Sequence, residues 1–161
     1  MPEALLEQEA AHPEARFQMV ADGDFAGYWD DNRIAQVLSN LLGNAVQHGS
    51  ANEPVVLRLH ARTDEVLLCV ENRGRVIPPE KINAIFEPLV RLAAGPDQAH
   101  ASSSLGIGLY IAREIVYAHG GAISVESTEE SGTVFAVTLP RRPRGDLPQH
   151  LRQPMVDSRP A

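Results

Sequence analysis

The sequence predicts an α+β fold, a two-layer sandwich in which one mixed sheet is covered on one face by helices. Three observations predict it. Ile34, Val37, Leu38, Leu41, Leu42, Ala45 and Val46 recur at three- and four-residue spacing, the mark of an amphipathic helix laid on a core. Segments 54–62, 65–71, 122–127 and 133–139 are rich in β-formers and bounded by turn residues. The order reads two strands, helix, two strands, helix, flexible stretch, helix, two strands, so pairs of strands alternate with helices that can share one face.

Each element has its own local reason. Residues 1–12 favour helix and are stopped at His12-Pro13. Residues 15–20 (ARFQMV) and 26–29 (AGYW) read as two short strands around Ala21-Asp22-Gly23-Asp24. Asp30 or Asp31 caps the long helix and Gly49 ends it. In 54–62, Val55, Leu57 and Leu59 alternate with Val56, Arg58, His60 and Arg62, giving one buried and one wet face. Thr63-Asp64 turns into 65–71, and a loop from Asn72 to Pro79 leads to a short helix at 80–86. Residues 92–104 show no periodicity and read as a flexible stretch; helix 106–119 follows and stops at Gly120-Gly121. A hairpin turning at Glu129-Glu130-Ser131-Gly132 closes the body, and 141–161 reads as a disordered tail.

Composition narrows the function classes. The chain has 161 residues, 43% hydrophobic and 22% charged, as in globular proteins. No apolar run approaches the roughly 18 residues of a membrane span. The start, MPEALLEQEA, lacks the pattern of a signal peptide, so a cytoplasmic protein without membrane contact is expected. The single Cys69 leaves no internal disulfide and no thiolate metal site. From Arg141 onward the chain carries five Arg and two Asp, whereas the body before it carries 9 basic and 19 acidic residues, a net of −10. Such a body repels a phosphodiester backbone, which argues against a nucleic-acid partner.

Three places in the sequence can carry chemistry. Asn40 and Asn44 lie one helical turn apart and point the same way at about 100° per residue. Their neutral oxygens suit a hard cation that keeps waters and binds phosphate; a pair of solvated helix asparagines is the plain alternative. Gln47 and His48 extend the same edge. Asn72-Arg73-Gly74 runs a strand end into a turn where backbone can approach a ligand closely. Leu105-Gly106-Ile107-Gly108-Leu109 opens a helix, where free N–H groups and the helix dipole favour phosphate.

In order and at these separations, RIAQVLSNLLGNAVQHG, VENRGRVIP, IFEPLVRL, LGIGLYIAREIVYAHGGAISVES and GTVFAV resemble the catalytic ATP-binding domain of bacterial sensor histidine kinases. That domain belongs to a superfamily shared with gyrase, the mismatch-repair ATPase and the heat-shock chaperone. The resemblance covers about 15–140 and implies the Bergerat ATP-binding fold, with ATP between helices and sheet under a mobile lid at about 92–108. It implies ATP and Mg²⁺ as ligands: Asn44 as metal ligand, Asn40 beside it and His48 near the nucleotide. Asn72 stands where the family places an adenine-reading Asp, and its carbonyl can still accept from the adenine amino group. Gly74 and Ile77 belong to that same box. Thr133 matches the threonine that approaches adenine, Phe86 the phenylalanine box, and Arg91 the following basic residue that reaches phosphate. Leu105, Gly106, Gly108 and Leu109 would line the lid, with backbone amides meeting phosphate.

Several positions depart from the family pattern: Gln47 for a basic residue, Val76 for Gly or Pro, Ser104-Leu105 where a further Gly is expected, and Leu89 for an aromatic. Asn40 stands where hydrolytic relatives carry a general-base Glu, which favours transfer over hydrolysis. A phosphoacceptor histidine is usually followed by an acidic residue, but the six here precede Pro, Gly, Ala, Ala, Gly and Leu. The expected division is therefore 1–14 as the end of a dimerisation helix or connector, 15–140 as the ATP-binding domain and 141–161 as tail. The implied partners are a histidine-bearing dimerisation domain and a downstream response regulator. A non-catalytic nucleotide-binding regulatory module and a serine kinase like the anti-sigma factors are the alternatives.

Overall fold

In the computed structural model, residues 2–88 and 96–142 are described. Helix α1 spans Pro2–Ala11, strand β1 Phe17–Asp22, helix α2 Asp31–His48, β2 Val55–Ala61 and β3 Glu65–Asn72. Helix α3 spans Pro96–Ala118, and β4 (Ala122–Thr128) and β5 (Gly132–Pro140) complete the sheet. The strands lie in the order β1-β2-β3-β5-β4. β1 pairs parallel with β2 across the α2 crossover, and the remaining pairs are antiparallel. This is the mixed sheet that the sequence predicts.

One face of the sheet and the apolar stripe of α2 make the core. Leu38, Leu41 and Leu42 of α2 meet Leu57, Leu68, Phe135 and Val137 with no exposed surface. Burying one such side chain stabilises by roughly 1.5–3 kcal/mol. The alternation read in 54–62 holds: Val55, Leu57 and Leu59 are buried, while Arg58 and His60 are exposed. Asp30 is the N-cap of α2, its carboxylate accepting from the Arg33 amide at 3.2 Å.

Elsewhere the structure departs from the sequence reading. No strand forms at 26–29, so the expected first hairpin is absent. β1 pairs instead with β2, from Phe17 opposite Val55 to Asp22 opposite His60. Gly23, at φ 102°, turns the chain away from the sheet. The segment after it is held from the far end of the chain: the Tyr28 amide donates to the Arg141 carbonyl, and Trp29 Nε1 to the Pro140 carbonyl at 2.7 Å. Arg141, expected to begin the tail, donates to the carbonyls of Asp24, Ala26 and Arg62. Residues 143–161, and with them most of the expected tail, lie outside the described residues.

The helix expected at 80–86 is two 3₁₀ turns, Pro79–Lys81 and Ala84–Phe86. Phe86, at the end of the second turn, is buried in the core. Helix α3 begins at Pro96, well before the expected 106, so the stretch read as flexible is helical from there on. Its sequence supplies the reason: Pro96 suits the first helical position, Asp97 the first turn, and alanines follow. The α1 helix also packs into the body. Ala4, only 2% exposed, joins the core cluster and Leu5 packs against it, so residues 2–11 of the segment read as the end of a dimerisation helix or connector lie against the body.

Candidate nucleotide site

The long α2 helix carries the first group. Asn40 is half-buried and donates from Nδ2 to the carbonyl of Gly108 on α3 at 3.0 Å. Asn44, one turn further on the same face, is buried. His48 closes the helix; the residue is exposed, yet partial burial of its ring holds its pKa below the ordinary 6.5. Gly49 caps α2 in extended conformation and forms an isolated bridge with Gly74, while the Ser50 amide donates to the Arg73 carbonyl. A side chain at Gly74 would run into the His48 carbonyl. The close approach made by that glycine is thus to the end of α2, and it ties the helix terminus to the end of β3.

The second group lies where β3, β5 and β4 meet. Asn72 ends β3 directly opposite Thr133 of β5, and Thr133 lies opposite Ser127 of β4. Asn72 is 4% exposed and Thr133 5%. Opposed residues of neighbouring strands have their Cβ atoms about 5 Å apart on one face. The Thr133 and Ser127 hydroxyls are 2.7 Å apart, and the Ile77 amide donates to Ser127 Oγ at 2.8 Å. Asn72 Oδ1 is buried and has no hydrogen-bond partner among the described residues. A buried carbonyl without a partner costs about 1–3 kcal/mol, so it marks a place open to a donor that the described residues do not supply. An exocyclic amino group of a base is such a donor, and the fit to adenine rests on this atom. Among the described residues no three His, Cys, Asp or Glu side chains gather as a metal site. A metal held here would therefore lean on neutral amides such as Asn44 and on the phosphates themselves.

The remaining expected site residues separate. Phe86 is buried in the core and meets Phe135 edge-to-face, with centroids 6.2 Å apart. Arg113 of α3 lies 5.6 Å from the Phe86 ring centroid and 3.8 Å from the Glu87 carboxylate, so it fastens α3 to the 3₁₀ turn. Leu109 is core. Gly106 and Gly108 lie within α3 and not at its start, because the helix begins at Pro96; the free amides expected there for phosphate are inside the helix. Leu105 also lies in α3. Arg91 and Leu89 fall outside the described residues, as does 92–95 of the expected lid.

Ser127 and Arg113 escaped the sequence reading. Ser127 was within reach of it, since strands read at 122–127 and 133–139 bring 127 and 133 together at the hairpin turn. Among the described residues no helix is long and apolar enough to cross a membrane.

Comparison with known proteins agrees with this geometry. The model of the histidine kinase-, DNA gyrase B- and HSP90-like ATPases matches residues 29–143. The sensor protein VanSC of Enterococcus gallinarum is 40% identical over 112 residues, 70% of this chain and 30% of that protein. The bacteriophytochrome of Pseudomonas aeruginosa is 36% identical over 136 residues, 84% of this chain and 18% of its own length. The chain thus spans less than a third of these relatives. Among solved structures, the catalytic domain of the histidine kinase ThkA superposes with a TM-score of 0.72 at 29% identity, covering 89% of this chain and 93% of that one. With the quoted sequence segments, a five-stranded mixed sheet and the family model over residues 29–143 in agreement, the chain belongs to the histidine kinase-, DNA gyrase B- and HSP90-like ATPase family, as an ATP-binding catalytic domain of the histidine kinase kind.

Proposed function

We propose that this chain is the Mg-ATP-binding catalytic domain of a two-component sensor histidine kinase and passes the γ-phosphoryl group of ATP to a histidine on a separate dimerisation domain. The observation that carries the reading is Asn72 Oδ1, an orphaned buried acceptor beside Thr133 at the open end of the β3–β5 pair. It accepts the adenine amino group, and Thr133 holds the neighbouring ring edge. Asn44 holds Mg²⁺, which when bound neutralises the charge of the phosphates. Phosphoryl transfer asks little covalent chemistry of the protein; positioning and charge neutralisation suffice.

Asn40 bears on the choice of acceptor. Its amide cannot take a proton at neutral pH, and it already donates to Gly108. Water therefore lacks a general base at this position, which supports transfer to an external nucleophile over hydrolysis. His48 stands at the rim, and Arg91 is the cation assigned to the phosphates. None of the six histidines has the sequence context of a phosphoacceptor, so the acceptor comes from a dimerisation domain elsewhere, and a response regulator receives the group in turn.

Calorimetric titration of a non-hydrolysable ATP analogue, with and without Mg²⁺, on wild type and Asn44→Ala tests the site. Micromolar, Mg²⁺-dependent binding that the variant loses while still folded supports the reading. Tight Mg²⁺-dependent binding by the variant removes Asn44 as ligand, and no binding by folded wild type favours the regulatory module. Labelled phosphate transferred in trans to a histidine hairpin must be acid-labile; an acid-stable product on a protein substrate identifies a serine kinase instead.

A further inference from the structure

We infer that Ser127 is the positioning residue of the base-reading corner, setting the polarity of the Thr133 hydroxyl so that the corner selects 6-aminopurines over 6-oxopurines. The inference rests on the nucleotide-binding reading above and extends it to a residue that touches no nucleotide itself. Its starting point is a fixed donor. The Ile77 amide can only donate, and it donates to Ser127 Oγ at 2.8 Å. Ser127 Oγ lies 2.7 Å from Thr133 Oγ1. A hydroxyl that already accepts one hydrogen bond becomes a better donor, and chains of such groups favour the head-to-tail arrangement. Ser127 therefore donates to Thr133 Oγ1. The Thr133 hydrogen is then left to donate outward, next to Asn72, its partner across the β3–β5 ladder.

The corner so ordered offers one acceptor, Asn72 Oδ1, which is buried and unpartnered, and beside it one donor, the Thr133 hydroxyl. A 6-aminopurine edge is complementary, with an amino donor next to a ring-nitrogen acceptor. A 6-oxopurine reverses both: its carbonyl oxygen faces Asn72 Oδ1, and its N1–H faces the Thr133 donor. If Ser127 were absent, the Thr133 hydroxyl would lose its fixed partner and could turn to accept, and the corner would tolerate either edge. Ser127 reaches the base only through Thr133, so its removal should change the choice of base more than the grip on the phosphates.

The test compares binding of Mg-ATP and Mg-ITP, which differ at the purine 6-position, to wild type, Ser127→Ala, Ser127→Thr and Thr133→Val, with thermal unfolding of each variant alongside. Wild type is expected to prefer ATP. Ser127→Ala should lower that preference by about three- to tenfold, the worth of one net hydrogen bond, and Ser127→Thr, which keeps the hydroxyl, should restore it. In a Thr133→Val background, Ser127→Ala should take away no further preference. An equal weakening of ATP and ITP in Ser127→Ala, with the ratio unchanged, would assign Ser127 a structural role only and overturn the inference. If Ser127→Ala fails to fold, the ratio in Thr133→Val decides: an unaltered ratio there also overturns it. Failure of wild type to bind either nucleotide would instead strike the nucleotide reading itself.

Discussion

The carboxamide of Asn40 on α2 donates through Nδ2 to the carbonyl oxygen of Gly108 on α3 at 3.0 Å, joining two helices across 68 residues of sequence. The bond fixes the face of α2 that carries Asn44 against the middle of α3, and Gly108 packs close enough that a Cβ there would touch the Asn40 side chain at 3.5 Å. Asn40→Ala should cost about 0.5–1.5 kcal/mol of stability. Amide hydrogen exchange should quicken around residues 107–112. A denaturation midpoint and an exchange pattern equal to wild type would show that the bond does not brace the helices.

Gly132 packs against the end of β3 where Asn72 faces Thr133. It adopts φ +74°, and a Cβ at that position would collide with the Asn72 carbonyl. Gly132→Ala should therefore destabilise the domain by about 1–3 kcal/mol and weaken nucleotide binding by displacing the end of β3. Chemical denaturation and titration on the same variant check both halves.

Arg141 holds the entry to α2. Its guanidinium donates to the carbonyls of Asp24 (2.6 Å), Ala26 (2.7 Å) and Arg62 (2.9 Å). The 24–29 segment that it pins leads straight into Asp30, the N-cap of α2, whose own amide donates to His119 Nε2 at 3.2 Å. Arg141→Ala should lower stability by about 1–3 kcal/mol. Arg141→Lys should rescue little of it, because an ammonium cannot span three carbonyls as a planar guanidinium does. A chain ending at Pro140, which also loses the backbone bonds of Arg141 to Tyr28 and Asp64, should unfold at a lower temperature than the alanine variant.

His48 makes stability depend on pH. Partial burial lowers its folded pKa below the 6.5 of the unfolded chain, so the unfolded state binds the proton more readily. The contribution of His48 is fully present above about pH 6.5 and is lost as pH falls from there toward the folded value. The urea midpoint of wild type should therefore drop more than that of His48→Gln between pH 7.5 and 5, the other histidines being common to both. Parallel midpoint curves would refute this.

What the sequence by itself determined was whatever depends on local periodicity and chain order. The apolar stripe of α2 had to bury Ile34 through Ala45 because a 3.6-residue repeat leaves no other face for it, and the alternation in β2 settled which side of that strand is wet. The hairpin of β4 and β5 followed from its turn, and the segments quoted above carried the resemblance to the family. Tertiary structure alone decided the partners of segments with weak local preference. Tyr28 and Trp29 are strand formers, yet Arg141 and Pro140 hold the segment as coil, and β1 finds β2 as its neighbour because α2 crosses between them. The register that sets Asn72 of β3 opposite Thr133 of β5 joins strands distant in the chain. Likewise, the amides of Gly106 and Gly108 lie within a helix because α3 begins at Pro96. Local sequence states what a residue can donate or accept; only the packed chain decides what stands opposite it.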